Sequence, residues 1–212
     1  MKKKLAITIN IIIILFVTFS LLNSAFHFLG FSSDGEGIKI FRYYTNLSNL
    51  LAGIMAVVTL IYMMLGKNMP RVVVIIKLAV TVMLSITFLV VIFYLAPFVS
   101  GLEIFYNPRC SLFVHCLTPI LVVFEYLMLA DIKTNSFDAI FQSSTTLMYA
   151  IIAIIVVLKL GDDKYAPYPF LAVNEQNPVL TILFIFFFLG FAIGLGYLYN
   201  FIRNKTINII KD

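Results

Sequence analysis

Residues 72–96 read VVVIIKLAVTVMLSITFLVVIFYLA, a run in which Lys77 is the one charged residue. At about 1.5 Å per residue, a helix of that length exceeds the roughly 30 Å of hydrocarbon in a bilayer, so the stretch reads as a membrane span. Five further runs share its character, at approximately 5–29, 45–66, 109–131, 138–159 and 178–202. Together the six take 142 of the 212 residues and leave two short tails and five connections, the longest of 18 residues. No soluble domain or nucleotide-binding unit fits into what remains. The chain is 62% hydrophobic and 12% charged, against roughly 45–50% and 25% in soluble domains, which agrees with that exclusion. The expected fold is therefore all-α: one domain over residues 1–212, a polytopic bundle of six transmembrane helices. In that setting the net charge of +5 carries no message about nucleic acid, and no nucleic-acid partner is expected.

The first run follows Lys2, Lys3 and Lys4, as a signal peptide would, but it is longer than the roughly 7–15 residues of such an apolar region. Asn23-Ser24-Ala25 is also a poor cleavage site, so the run is expected to be a retained helix. Cys110 and Cys116 fall about 240° apart around one helix at about 100° per residue and cannot bridge each other.

Six spans would place both ends of the chain on one side. The face carrying the tails, the loop at 67–71 with the flanking Lys77, and the loop at 132–137 holds ten Lys and Arg, against five on the other, so the positive-inside rule makes the termini cytoplasmic. The outer connections, 30–44, 97–108 and 160–177, are the longer ones and hold most of the Gly, Pro and loop carboxylates. With Trp absent, Tyr43, Tyr44, Tyr94, Tyr106 and Tyr168 are expected to form the outer interfacial belt.

Polar groups inside lipid are costly unless they face the bundle or water, so function is sought among them. In helix two, Thr45, Ser48, Asn49, Ala52 and Ala56 recur at offsets 0, 3, 4, 7 and 11, on one face. One reading is a small-residue packing seam; the other is a hydroxyl nucleophile with an amide beside it. In helix four, His115 supplies a base that can exchange a proton near neutral pH. Pro119, four residues later, would deprive the His115 carbonyl of its helical donor and kink the helix, opening a polar cavity there. The competing reading has His115 tying two helices together. Cys116 points away and reads as core. In helix one, Ser20, Asn23, Ser24 and His27 share a face, with His27 read as interfacial.

Glu125 lies ten residues beyond His115, about 15 Å deeper, and marks either a buried ion pair or network, or an ion path. Lys77 and Lys159, near span ends, are expected to snorkel. Tyr165-Ala166-Pro167-Tyr168-Pro169-Phe170-Leu171 reads as an apolar cap over the outer mouth. Gly190, Gly194 and Gly196 would permit close helix approach. Ser143, Ser144, Thr145, Thr146 and Tyr149 in helix five either line the interior or bond back to their own helix.

These motifs resemble the androgen-induced protein family: R-Y-Y-T-x-L-S-N from Arg42 to Asn49, H-x-x-x-P from His115 to Pro119 with Glu125 ten residues after the histidine, and Y-P-F at Tyr168-Pro169-Phe170. The resemblance spans nearly the whole chain, and its prokaryotic members imply a plasma-membrane location. Animal members have proline five residues after the histidine, where this chain has four, and Ser48 and Asn49 follow the prokaryotic pattern. The resemblance implies a threonine and histidine pair, matching Thr45 and His115, that hydrolyses fatty acid esters of hydroxy fatty acids. On that reading the partners are a lipid or fatty acid ester and membrane lipids, with no cofactor and no metal.

The chemistry would run through Thr45 as nucleophile and His115 as general base, then acid. Asn49 is the nearest side chain for the oxyanion, with Ser48, Tyr44, Glu125 and Tyr168 as supporting residues. Two alternatives come from other classes. A small-molecule or ion transporter would use a polar path through His115 and Glu125, and a non-catalytic scaffold would need the packing seams alone.

Overall fold

The structure is a computed structural model that describes residues 2–26, 37–101, 105, 112–129, 133–161, 166–174 and 177–211. His27, Tyr106, Cys110 and Tyr165 lie outside these residues. Every regular element among the described residues is helical. Helix α1 is Lys2–Phe26, α2 is Tyr44–Met64 and α3 is Arg71–Val90, continued by a widened π-type segment Val91–Ser100 that contains Pro97. Helix α4 opens with a π-type turn, Phe113–Leu117, and runs on as Thr118–Leu129. Helix α5 is Ser136–Leu160, interrupted at Gln142 and Ser143, and α6 is Pro178–Lys211. A 3-10 turn, Gly37–Arg42, precedes α2, and another, Pro169–Leu171, sits between α5 and α6. We call the end of the bundle that carries these two turns the cap end.

Helix ends fall where the local chemistry puts them. Pro70, with φ −59°, precedes α3, where its missing N–H costs nothing. Asn135 and Asp138 form a capping box at the start of α5, each side chain accepting the other's backbone N–H, at 3.0 and 2.8 Å. Gly161, at φ 67°, closes α5 in the left-handed conformation that glycine adopts without strain.

Five helices are long and apolar enough to cross a membrane: α1, α2, α3 with its extension, α5 and α6. The expected fourth span, 109–131, differs. Among the described residues its apolar helix, Phe113–Met128, is shorter than the other five, so five of the six expected spans are long enough to cross a membrane. Helix α3 is the central post, with Leu78, Val82 and Leu84 fully buried. On one side Val80 and Leu84 pack with Ile13 of α1, Ala52 of α2 and Val122 of α4; on the other Leu78 and Val82 pack with Tyr126 of α4 and Ala192 of α6. Helix α5 is peripheral, and its exposed Met148, Ile151, Ile152 and Ile155 present an apolar face suited to lipid.

Away from the cap end, polar groups join the helices. Lys77 does not snorkel: its ammonium is buried 2.6 Å from Glu125 Oε1 and donates to Thr59 Oγ1 at 3.1 Å. Asn10 Nδ2 donates to the same carboxylate oxygen at 3.3 Å, so α1, α2, α3 and α4 meet at one ion pair. The buried-pair alternative for Glu125 is the one observed. Of the three glycines in α6, only Gly196 is in close approach: a Cβ there would lie 2.7 Å from Gln142 Nε2 and 2.9 Å from the Ala139 carbonyl, while Gly190 and Gly194 face open space.

Candidate functional site

The helix-two stripe divides its work. Ser48, Asn49, Ala52 and Ala56 are buried as a packing seam, whereas Thr45 is half-buried one turn above them. Ser48 Oγ donates to the Thr45 carbonyl at 2.9 Å, so its hydroxyl bonds back to its own helix. Asn49 Nδ2 donates to the Thr45 carbonyl at 2.8 Å and to the Val114 carbonyl at 3.0 Å. Both amide hydrogens are thereby used, which removes Asn49 as the side-chain donor for an oxyanion.

The bond to Val114 follows from Pro119, by a route the sequence did not show. The turn around His115 is π-wide, and the Thr118 N–H reaches back five residues to the Phe113 carbonyl. In that register the next donor would be residue 119, reaching Val114, and proline has no N–H. The Val114 carbonyl is thus left without a helical donor, and Asn49 satisfies it. One asparagine therefore ties the first turn of α2 to the residue preceding His115. Around this clamp Asn49 Oδ1, His115 Nδ1 and Thr118 Oγ1 are buried with no hydrogen-bond partner among the described residues. Leaving such a group unpaired costs about 1–3 kcal/mol, so three on adjoining helices single out the junction.

Thr45 opens onto a different space. It lines an apolar cavity of about 90 Å³ between α2, α3, α5 and α6, with Ile86, Val90, Leu147 and Phe188 among its walls. His115 is not among the residues lining this cavity. The two predicted catalytic residues are linked through Asn49 and not through a shared pocket.

The cavity has five other hydroxyl-bearing neighbours, Tyr44, Thr87, Thr146, Tyr149 and Tyr168. Tyr44 is buried rather than interfacial, its hydroxyl 2.9 Å from Thr146 Oγ1. Thr87 Oγ1 is buried with no partner. Tyr168 comes from the expected cap and interacts with the Thr45 side chain and with the backbone amides of Thr45 and Tyr44. Those amides belong to the first turn of α2, which has no intrahelical acceptor for them, and Tyr43 at the helix start provides no side-chain cap. Burial pushes the Tyr168 phenol above its ordinary value, and the contacts to Thr45 and Tyr44 only partly offset this, so it stays a proton donor at neutral pH. Its ring is fixed by parallel stacking on Phe170, 5.4 Å between centroids, which in turn packs on Phe184 and Phe188 of α6. Of the expected outer belt, Tyr94 is exposed, whereas Tyr168 is held over the Thr45 cavity.

The site is recessed. Ala150 lines the cavity, and α5 continues ten residues past it to Leu160, about 15 Å along the helix. The first turn of α2, which carries Thr45, therefore lies well below the end of a neighbouring helix. Glu125 takes no part here, being bound to Lys77 and Asn10. Sequence reasoning missed Thr87 and left Tyr149 open between interior and helix surface; Thr87 is one of two threonines in the 72–96 run, with nothing local to single it out, and Tyr149 stands among small polar residues of α5. Among the described residues, no group of His, Cys, Asp and Glu is placed to hold a metal ion. No family model, no curated protein and no solved structure matches this chain.

Proposed function

We propose that the protein is an integral membrane hydrolase of lipid esters in which Thr45 is the nucleophile and His115 the general base. All six helices cross the membrane in this reading, α4 included, and the distribution of Lys and Arg, nine to five once the buried Lys77 is left out, favours both termini on the cytoplasmic side. The observation that carries the reading is the position of Thr45, a half-buried hydroxyl on the wall of an apolar cavity that Tyr168 also lines.

Thr45 Oγ would attack the ester carbonyl carbon as its proton passes to His115, and the imidazolium would then protonate the leaving alkoxide. Water would cleave the acyl-threonine in the second half, with His115 again accepting a proton. Asn49 bonds both the Thr45 and the Val114 carbonyls, which supports the pairing, and the transfer requires His115 to reach Thr45 at the edge of a cavity it does not itself line. Asn49 is a positioning residue in this scheme, and the hydroxyls of Tyr168 and Thr87 are the oxyanion donors. The transporter alternative has less support, since its deep carboxylate is engaged by Lys77 and Asn10.

A fluorophosphonate probe tests the reading. Purified protein should become covalently labelled, and Thr45→Ala and His115→Ala should both lose labelling and ester turnover while remaining folded. Full turnover by Thr45→Ala overturns the assignment.

A further inference from the structure

The Thr45 cavity is too small for a long acyl chain. An engineered protein cavity of about 150 Å³ holds a benzene, and this one is about 90 Å³. Directly beside it lies a second space of about 300 Å³ between α2 and α5. Tyr149 lines both. The second space is a groove rather than an enclosed cavity: Met148, Ile152 and Val156 on its α5 wall are exposed, while Leu47 and Leu51 of α2 form the opposite wall. It follows α5 from Thr145 to Val156, eleven residues or about 16 Å, close to half of a hydrocarbon layer of roughly 30 Å. That is the depth occupied by the chains of one leaflet. Met83 and Met148 give it the adaptable lining that suits a flexible chain.

The partition between the two spaces is slender. The Tyr149 hydroxyl donates to the Arg42 carbonyl at 2.7 Å, and its ring meets Tyr44 edge-on at 4.9 Å. The cap borders both sides, with Pro167 on the groove and Tyr168 on the cavity. We propose that the groove between α2 and α5 holds one acyl chain of a membrane lipid ester, and that Tyr149 is the door through which the ester end reaches Thr45. The groove stands on its own geometry; the door rests on the proposed role of Thr45.

Photo-crosslinking separates the two parts. The protein is reconstituted with a phosphatidylcholine carrying a mid-chain alkyl diazirine, irradiated, and the adducts are mapped by mass spectrometry. Adducts on Leu47, Met148 and Ile152 should exceed those on Phe186 and Phe187, the exposed face of α6, several times over, and should saturate as probe concentration rises. Ala153→Phe should fill the groove and reduce its adducts to the level on α6. Equal, unsaturable labelling of both faces in the unmodified protein would mean ordinary boundary lipid and would overturn the groove, whether or not the Ala153→Phe variant folds. Tyr149→Ala should add adducts on Ile86 and Val90 in the inner cavity, and their absence would overturn the door. Groove adducts in a protein that never labels at Thr45 would leave the chain site standing and remove the hydrolase reading.

Discussion

Two polar layers of this bundle draw on similar residue types and treat them in opposite ways. In one, Asn10, Thr59, Lys77 and Glu125 bond one another across four helices. In the other, toward the cap end, Asn49 Oδ1, Thr87 Oγ1, His115 Nδ1 and Thr118 Oγ1 are buried without partners. A satisfied layer holds helices together where lipid provides little driving force for their association. An unsatisfied layer works against stability and is retained where polar groups face chemistry. Residue type does not separate these two layers, whereas the pairing of their buried atoms does; Gln142 Oε1 and Asn204 Oδ1, away from the cavity, are also unpaired among the described residues, so an unpaired atom alone does not mark a site.

The largest effect should come from breaking the satisfied layer. Lys77→Ala leaves the Glu125 carboxylate buried without its cation and should cost about 3–5 kcal/mol of stability, read as loss of folded protein in a detergent-denaturation series. Replacing both partners, Lys77→Met with Glu125→Met, should recover most of that loss. If the double variant is as unstable as the single one, the layer is doing more than holding helices.

In the unsatisfied layer the expectation is reversed, with activity falling and stability holding. Thr87→Val and Tyr168→Phe each remove a hydroxyl proposed to stabilise the oxyanion, and each should lower kcat by about 10²–10³, or about 2.7–4 kcal/mol in the barrier. Thr87→Val should leave the denaturation midpoint unchanged or raised, because the hydroxyl it deletes has no partner to lose. A drop in the midpoint with unchanged kcat would show that Thr87 belongs with the glue.

The smallest effect sharpens the comparison by geometry alone. Gly196→Ala must displace Gln142 or the Ala139 backbone and should cost about 1–3 kcal/mol in the same denaturation series. Gly194→Ala meets open space and should be neutral or slightly stabilising through helix propensity, by at most about 1 kcal/mol.

Much of the satisfied layer was hidden from the sequence, while part of the unsatisfied one was legible. The helix-two stripe showed as periodicity, because one face of one helix is a local pattern, and Ser48, Asn49, Ala52 and Ala56 are buried along it. Glu125 declared itself as a charge in an apolar run. Its partner Lys77 did not, since the two are 48 residues apart and a lysine near a span end has an equally good local reading in snorkelling. Asn10 escaped notice for the same reason. The sequence pointed to a carbonyl freed by Pro119 at His115; the π-wide turn adds Val114, whose carbonyl takes its donor from Asn49 on another helix, a contact no local pattern shows. The cap was legible in its two prolines and aromatics. That its tyrosine would reach the first turn of α2 was not, because that turn's exposed amides exist only once the helix has begun at Tyr44.

The Lys77–Glu125 contact also has an electrical meaning. A membrane potential acts on net charge, at about 2.3 kcal/mol per elementary charge carried fully across for every 100 mV. A lysine and a glutamate held 2.6 Å apart sum to zero, so the pair is nearly silent to that field wherever it lies along the bundle. The fold can therefore keep two ionised groups in its interior without its stability following the energised state of the membrane around it.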